Sequence, residues 1–251
     1  MKRVIAVGLA MLISIVFLSG SSYAQQSKDF FGGTVVGVYT HEMWRGMKLS
    51  KRTVVQPYIY ATYHNFTGKV WANYDSHTSK FNQTDFVFLY SRSFNKLTLT
   101  PGYVYYSFTG ANDTQEFFLS MAYDMFLQPN FTWYYDFKEG DGSYLNLTIG
   151  HTFTLPHNYA IHVGAQAGYL WDNKNMGTER DGGDLSDLYN GEVYMTASIP
   201  IWKEISLEPK IAYSFPLSDE AQRVFENIID AYDFGGDSFV YYGGLAFRVN
   251  F

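Results

Sequence analysis

The sequence predicts an all-β chain: a transmembrane up-and-down antiparallel β-barrel of twelve strands, with a short helix in the last long loop. Three observations carry that expectation. The N-terminus reads as an export leader, twelve runs alternate apolar and polar residues with period two, and the last run ends on Phe251.

In the leader, Lys2 and Arg3 precede an apolar stretch from Val4 to Leu18, and Ser22-Tyr23-Ala24 has the small-x-small pattern that signal peptidase cuts. Residues 1–24 are therefore expected to be removed, leaving 25–251 as one barrel domain. The apolar stretch is shorter than the ~20 residues of a spanning helix, and no later segment reaches ~18 consecutive apolar residues. Without Cys there is neither a lipoprotein anchor nor a disulfide framework. Loss of the two basic leader residues takes the formal net charge from −6 to −8. An acidic chain without basic clusters excludes nucleic acid as the expected partner.

From Lys203 onward, Ile205, Leu207, Pro209, Ile211, Tyr213 and Phe215 share one face, while Glu204, Ser206, Glu208, Lys210, Ala212 and Ser214 share the other. A period of two over this length is a strand with one greasy and one wet side. Similar runs fall at 33–43, 52–64, 66–74, 84–94, 96–108, 115–126, 129–138, 143–154, 158–171, 188–200, 203–215 and 238–251. The first is apolar on both faces and leaves its register open; ten strands remain the alternative, with two runs misread. Connections after the even-numbered runs are tight, as at His64-Asn65 and Asn95-Lys96, whereas the others are mostly longer and polar, the longest being 172–187 and 216–237. Short turns at one end and long loops at the other describe an up-and-down barrel with both termini on the short-turn side.

Aromatic residues collect at both ends of the runs. Tyr63, Phe66, Phe94, Phe126, Phe131, Phe153 and Trp202 lie beside the short turns; Tyr74, Phe108, Phe137, Trp171, Phe215 and Phe239 lie beside the long loops. Two such bands an apolar span apart are what interfacial girdles require. In hydrocarbon every backbone N–H and C=O must be paired within the protein, so a sheet can span only by closing on itself. The apolar faces then meet outer-membrane lipids and the charged faces line the bore, since Lys or Arg on the lipid side costs ~2–4 kcal/mol at the midplane. Arg92, on the aromatic face of its run, is expected to snorkel at the short-turn end.

The alternation assigns Gln56, Lys69, Glu116, Asp124, Asp136, Lys138, Glu192, Glu204, Glu208, Lys210 and Arg248 to the lumen, with acids outnumbering bases. Twelve strands enclose a bore much narrower than that of 16–18-stranded porins, and charges in so narrow a lumen select solutes by sign and size. In 216–237, Val224, Phe225, Ile228 and Ile229 fall at helical spacing and predict a short helix on or in the outer mouth. The terminal strand ending in Phe251 resembles the signal by which outer-membrane proteins are handed to the barrel-assembly machinery.

The segment Gly37-Val38-Tyr39-Thr40-His41-Glu42-Met43-Trp44-Arg45-Gly46 resembles the opening strand and Arg-Gly of TorF-type porins. Val55-Gln56-Pro57, Val70-Trp71-Ala72-Asn73 and Pro101-Gly102-Tyr103-Val104-Tyr105-Tyr106 add to the similarity, which covers roughly the first half of the chain in pieces. It implies an outer-membrane channel whose solute the family does not define.

The expected function is a narrow channel for small polar solutes, mildly favouring cations. The alternatives are a closed structural or adhesion barrel, whose lumen charges pair and fill it, and a lipid hydrolase. For the last, His77-Thr78-Ser79 is the nearest match to a nucleophile beside its base, but no orienting acid is evident in the sequence. Asp181, Asp184 and Asp187 do not follow the EF-hand spacing, and the histidines lack metal-ligand spacing. No enzyme activity, metal or cofactor is expected.

Overall fold

In a computed structural model of the chain, residues 30–251 are described. The expected leader at 1–24 lies outside the described residues. Strands β1 (Phe30–Tyr39), β2 (Val54–Tyr63), β3 (Phe66–Asp75), β4 (Lys80–Tyr90), β5 (Leu97–Phe108) and β6 (Thr114–Tyr123) are followed by β7 (Asn130–Asp136), β8 (Gly142–Thr154), β9 (Ala160–Trp171), β10 (Leu188–Pro200), β11 (Ile205–Pro216) and β12 (Val240–Asn250). After a break at Ser91, Arg92–Phe94 resumes the line of β4 against β5.

Each strand pairs antiparallel with its sequence neighbours. Closure comes at Val35 of β1, which opposes Tyr58 of β2 on one side and Arg248 of β12 on the other. The twelve-stranded sheet therefore has no free edge, the condition a membrane imposes on β structure. The alternation holds: Ile211, Tyr241, Leu245 and Phe247 point outward and are exposed, whereas Ala212, Ser214 and Ala246 point inward and are buried. At the short-turn end Tyr63, Phe66, Phe94, Phe126, Phe153 and Trp202 are exposed, and at the other end Trp171 and Phe239 are exposed. Arg92 is exposed at the short-turn end, its guanidinium 5.4 Å from the Phe94 ring.

The first run differs from the expected 33–43. The sheet ends at Tyr39, and residues 40–53 turn into the barrel, where Met43–Trp44 pairs with Met47–Lys48 as a small hairpin. The stretch that is apolar on both faces stays within β1, where Val35 is buried inside and Val38 is exposed outside. A second inserted hairpin, Asn173–Thr178 with Asp184–Leu185, lies beside it.

Over both lies the helix α1 (Asp219–Ala231). Ser218 caps it by accepting from the Ala221 N–H, and Asp219 and Glu220 complement the positive end of its dipole. Its stripe follows the sequence pattern: Val224, Phe225 and Ile229 are buried, and Ile228 packs at their margin. These side chains join Met47, Tyr144, Leu170, Met176, Leu185 and Tyr189 in one apolar cluster. A barrel open to water has no core between layers; here the core is a plug across the long-loop end. Among the described residues no helix is long and apolar enough to cross a membrane.

Candidate functional site

The plug is pinned to the wall by its tip. Between Trp44 and Met47 the chain reverses through Arg45 (φ 49°) and Gly46 (φ 84°), both left-handed as a tight two-residue hairpin turn demands. Gly46 is there for two reasons. The positive φ suits it, and a Cβ would lie 2.4 Å from the Asn190 Cβ and 2.8 Å from the Phe225 ring. Gly46→Ala should therefore weaken docking of the loop by about 2–4 kcal/mol from backbone strain and overpacking. Limited proteolysis of the loop in reconstituted vesicles should accelerate at least about 30-fold, since 1.4 kcal/mol is tenfold.

Arg45 is itself strained and is kept so by its partners. Nη1 and Nη2 donate to Oε1 and Oε2 of Glu116 at 2.8 and 2.6 Å, a bidentate pair in which the two side chains are only 7% and 2% exposed. The guanidinium lies 4.3–4.9 Å from the ring centroids of Trp44, Tyr134 and Tyr144, and Tyr106 donates to Glu116 at 2.9 Å. Burial opposes its charge, but Glu116 and the nearby phenols more than reverse this, so Arg45 is held above its ordinary pKa.

A second anchor is Glu42, whose Oε2 accepts from Asn73 on β3 at 2.8 Å and from Asn82 on β4 at 3.4 Å. Lys48 donates to the Phe234 and Gly235 carbonyls beyond α1. Burial pushes the Glu42 carboxyl up to about 8 from 4.5; the Asn82 hydrogen bond opposes this, and Asp85 and Asp75 facing it reinforce it. Between those values the docked loop holds a proton that the undocked loop releases, so docking weakens as pH rises from about 4.5 to 8 and levels off above. Loop proteolysis should accelerate from pH 5 to 8, and Glu42→Gln should flatten the profile.

Beneath the plug the lumen is polar. Lys210 of β11 bridges Glu192 of β10 (3.2 Å) and the Tyr242 hydroxyl of β12 (2.7 Å), while that hydroxyl donates to Glu192 at 2.8 Å. Arg248 donates to both oxygens of Glu208 at 2.6 and 3.1 Å and to the Tyr58 hydroxyl at 2.9 Å. Two cavities of about 310 and 300 Å³ adjoin these groups. The first is roofed by Met43, Arg45 and Gly46; the second is lined by Tyr39, His162, Thr196, Ser198 and Glu208.

No family model matches the sequence, and no curated protein matches it. Solved structures do match the fold. The chain is similar to the KdgM porin at 14% identity and a TM-score of 0.55, covering 88% of this chain and 99% of that one. It is similar to the NanC porin at 10% identity and the same TM-score, covering 86% and 98%. A KdgM porin in complex with disordered oligogalacturonate matches at 13% identity and a TM-score of 0.51, covering 88% and 98%. The fold is that of an outer-membrane porin barrel.

The closed barrel sorts the residues that the alternation assigned inward. Gln56, Lys69, Glu116, Asp136, Glu192, Glu208, Lys210 and Arg248 all lie on inward rungs. Gln56 donates to Asn73 at 3.0 Å, Lys69 lies 4.5 Å from the Tyr58 ring, and buried Asp136 accepts from Thr114 at the long-loop rim. Asp124, Lys138 and Glu204 do not sit on rungs. β6 ends at Tyr123, β7 at Asp136, and β11 begins at Ile205, so these three lie exposed just past the strand ends, with Asp124 and Glu204 still tied by backbone hydrogen bonds to Lys96 and Asn250.

Residues missed by the sequence reading are as informative. Asp85 shares the inward face of β4 with Val87, opposite Tyr106, and the period of that run was signal enough to find it. Arg45 and Glu42 lie in a loop, and nothing in a loop's pattern says that it folds inward. At the His77-Thr78-Ser79 motif, the Asp75 carboxylate accepts from the backbone N–H of His77 at 2.7 Å, a turn-closing contact. Asp181 likewise accepts from the Gly183 N–H within its own loop. Among the described residues no three acidic or His side chains gather as a metal site.

Proposed function

We propose that this porin barrel is a bacterial outer-membrane channel for small polar solutes, mildly favouring cations, with its outer half closed by the loop at 40–53. One observation carries the reading. The barrier is a docked loop held by the Arg45–Glu116 pair, while the wall behind it is charged and encloses two cavities, the one directly beneath the loop almost wholly polar. A barrel that served only as a scaffold has no need of a removable plug over a hydrophilic bore. The resemblance to TorF-type porins points the same way, and the KdgM porin in complex with disordered oligogalacturonate, a polar solute, supports it.

The accompanying readings belong to the same proposal. Residues 1–24 are the cleaved leader, Phe251 closes the signal read by the barrel-assembly machinery, the outward apolar face is solvated by outer-membrane lipids, and the chain has no enzymatic role. The second reading, a closed structural or adhesion barrel, draws on the tight packing of the plug around Phe225 and Tyr189. Reconstitution into planar bilayers under a KCl gradient separates the two. The channel predicts discrete steps and a reversal potential on the cation side. Silence from both wild type and a plug-released variant rejects conduction, and clear anion selectivity rejects the sign.

A further inference from the structure

We infer that the lumen beneath the plug is a row of seats for organic cations, primary ammonium or guanidinium groups on short aliphatic chains, an assignment that rests on the channel reading and gives it a solute class. The same three-part unit recurs along the wall: a carboxylate, one or more aromatic faces, and a cation lying on both. Lys210 lies 4.7 and 5.4 Å from the Tyr242 and Tyr194 ring centroids and 3.2 Å from Glu192. Arg248 lies 5.9 Å from the Tyr58 ring and 2.6 Å from Glu208. Arg45 repeats the arrangement in the plug, against three rings and Glu116. Ring faces attract cations through their quadrupole, and the carboxylate adds the charge. Each seat is thus occupied by a cation tethered to the protein itself.

What can be displaced decides which solute fits. The Glu192 side chain is 8% exposed and held by the Tyr242 hydroxyl, whereas the Lys210 side chain is 26% exposed and ends a long flexible chain. A solute ammonium needs only to push the lysine aside and take its place. A solute anion must instead dislodge a short, pinned carboxylate, and a neutral sugar finds the ring faces already covered. Lys210 also borders both cavities, so a solute passing from one to the other meets this seat.

Calorimetric titration of the refolded barrel in detergent with 1,4-diaminobutane, at low salt, tests the assignment, with glucose and glutamate as reference solutes. Heat-modifiable migration on gels verifies that each variant is folded. Saturable diaminobutane binding is expected in the wild type, weaker by tenfold or more in Glu192→Gln. It should be tighter by tenfold or more in Lys210→Ala, where the tethered competitor is gone. Should Glu192→Gln not fold, Tyr242→Leu supplies the same reading with a loss of fivefold or more. Glucose or glutamate binding as well as the diamine, or Lys210→Ala failing to tighten it, overturns the assignment. KCl conductance recorded in parallel keeps the two readings apart. Conduction without diamine binding removes the seats and spares the channel; diamine binding without conduction does the reverse.

Discussion

Glu116→Ala should turn a mostly closed barrel into a mostly open one. The substitution leaves the Arg45 guanidinium among Trp44, Tyr134 and Tyr144 with no counter-charge, and takes the acceptor from the Tyr106 hydroxyl. Removing one member of a buried pair costs about 3–5 kcal/mol, because the survivor stays desolvated and unpaired. The cost falls on the docked state alone, since an undocked loop carries Arg45 into water. At 1.4 kcal/mol per decade, the ratio of undocked to docked loop should rise at least about a hundredfold. Single-channel recordings should show brief wild-type openings replaced by long ones in Glu116→Ala, with Glu116→Gln between them. An unchanged open probability would mean that the loop at 40–53 is not the barrier.

Deleting residues 218–232 should have the next largest effect. The helix α1 contributes nothing to the closed sheet, so the barrel should still fold and still show heat-modifiable migration. It does cover the plug: the Phe225 ring meets Tyr189 at 5.0 Å between centroids and belongs to the same apolar cluster as Met47, Met176 and Leu185. Truncating a buried Phe to Ala alone costs about 3–5 kcal/mol. The deletion strips Val224 and Ile229 as well and leaves the cluster facing water. Conductance should rise and the 40–53 loop should become readily cleaved by added protease, with Phe225→Ala showing a smaller shift in both. If deletion leaves conductance as it was, the helix rests on the rim without closing anything.

Most of the architecture was legible because β structure at a water–lipid boundary writes itself in period two. The faces of β11 and β12 follow directly from Ile205 to Phe215 and from Phe239 to Phe251, and the alternating connection lengths gave the two ends. The α1 stripe was legible for the same kind of reason, Val224, Phe225, Ile228 and Ile229 repeating at helical spacing. The plug was not. Met43, Trp44 and Met47 carry a signal of burial but not of what buries them, and the run from Val35 reads equally as an extension of the first strand. What places Arg45 against Glu116, 71 residues away, is closure of the barrel, a long-range event that no local pattern reports. Asp124, Lys138 and Glu204 mark the margin of what alternation reports, since they fall just past the strand ends, where exposure rather than the rung decides what a side chain meets.

The chain has no Cys, so single spin-labelled cysteines at Ile211, Leu245, Thr152 and Thr196 give an unambiguous depth-and-solvent map of the reconstituted barrel. Labels at Ile211 and Leu245 should relax with lipid-soluble oxygen, and those at Thr152 and Thr196 with a water-soluble nickel complex. Labels at Ile211 and Leu245 that respond to the nickel complex while Thr152 and Thr196 respond to oxygen would contradict the account at its root.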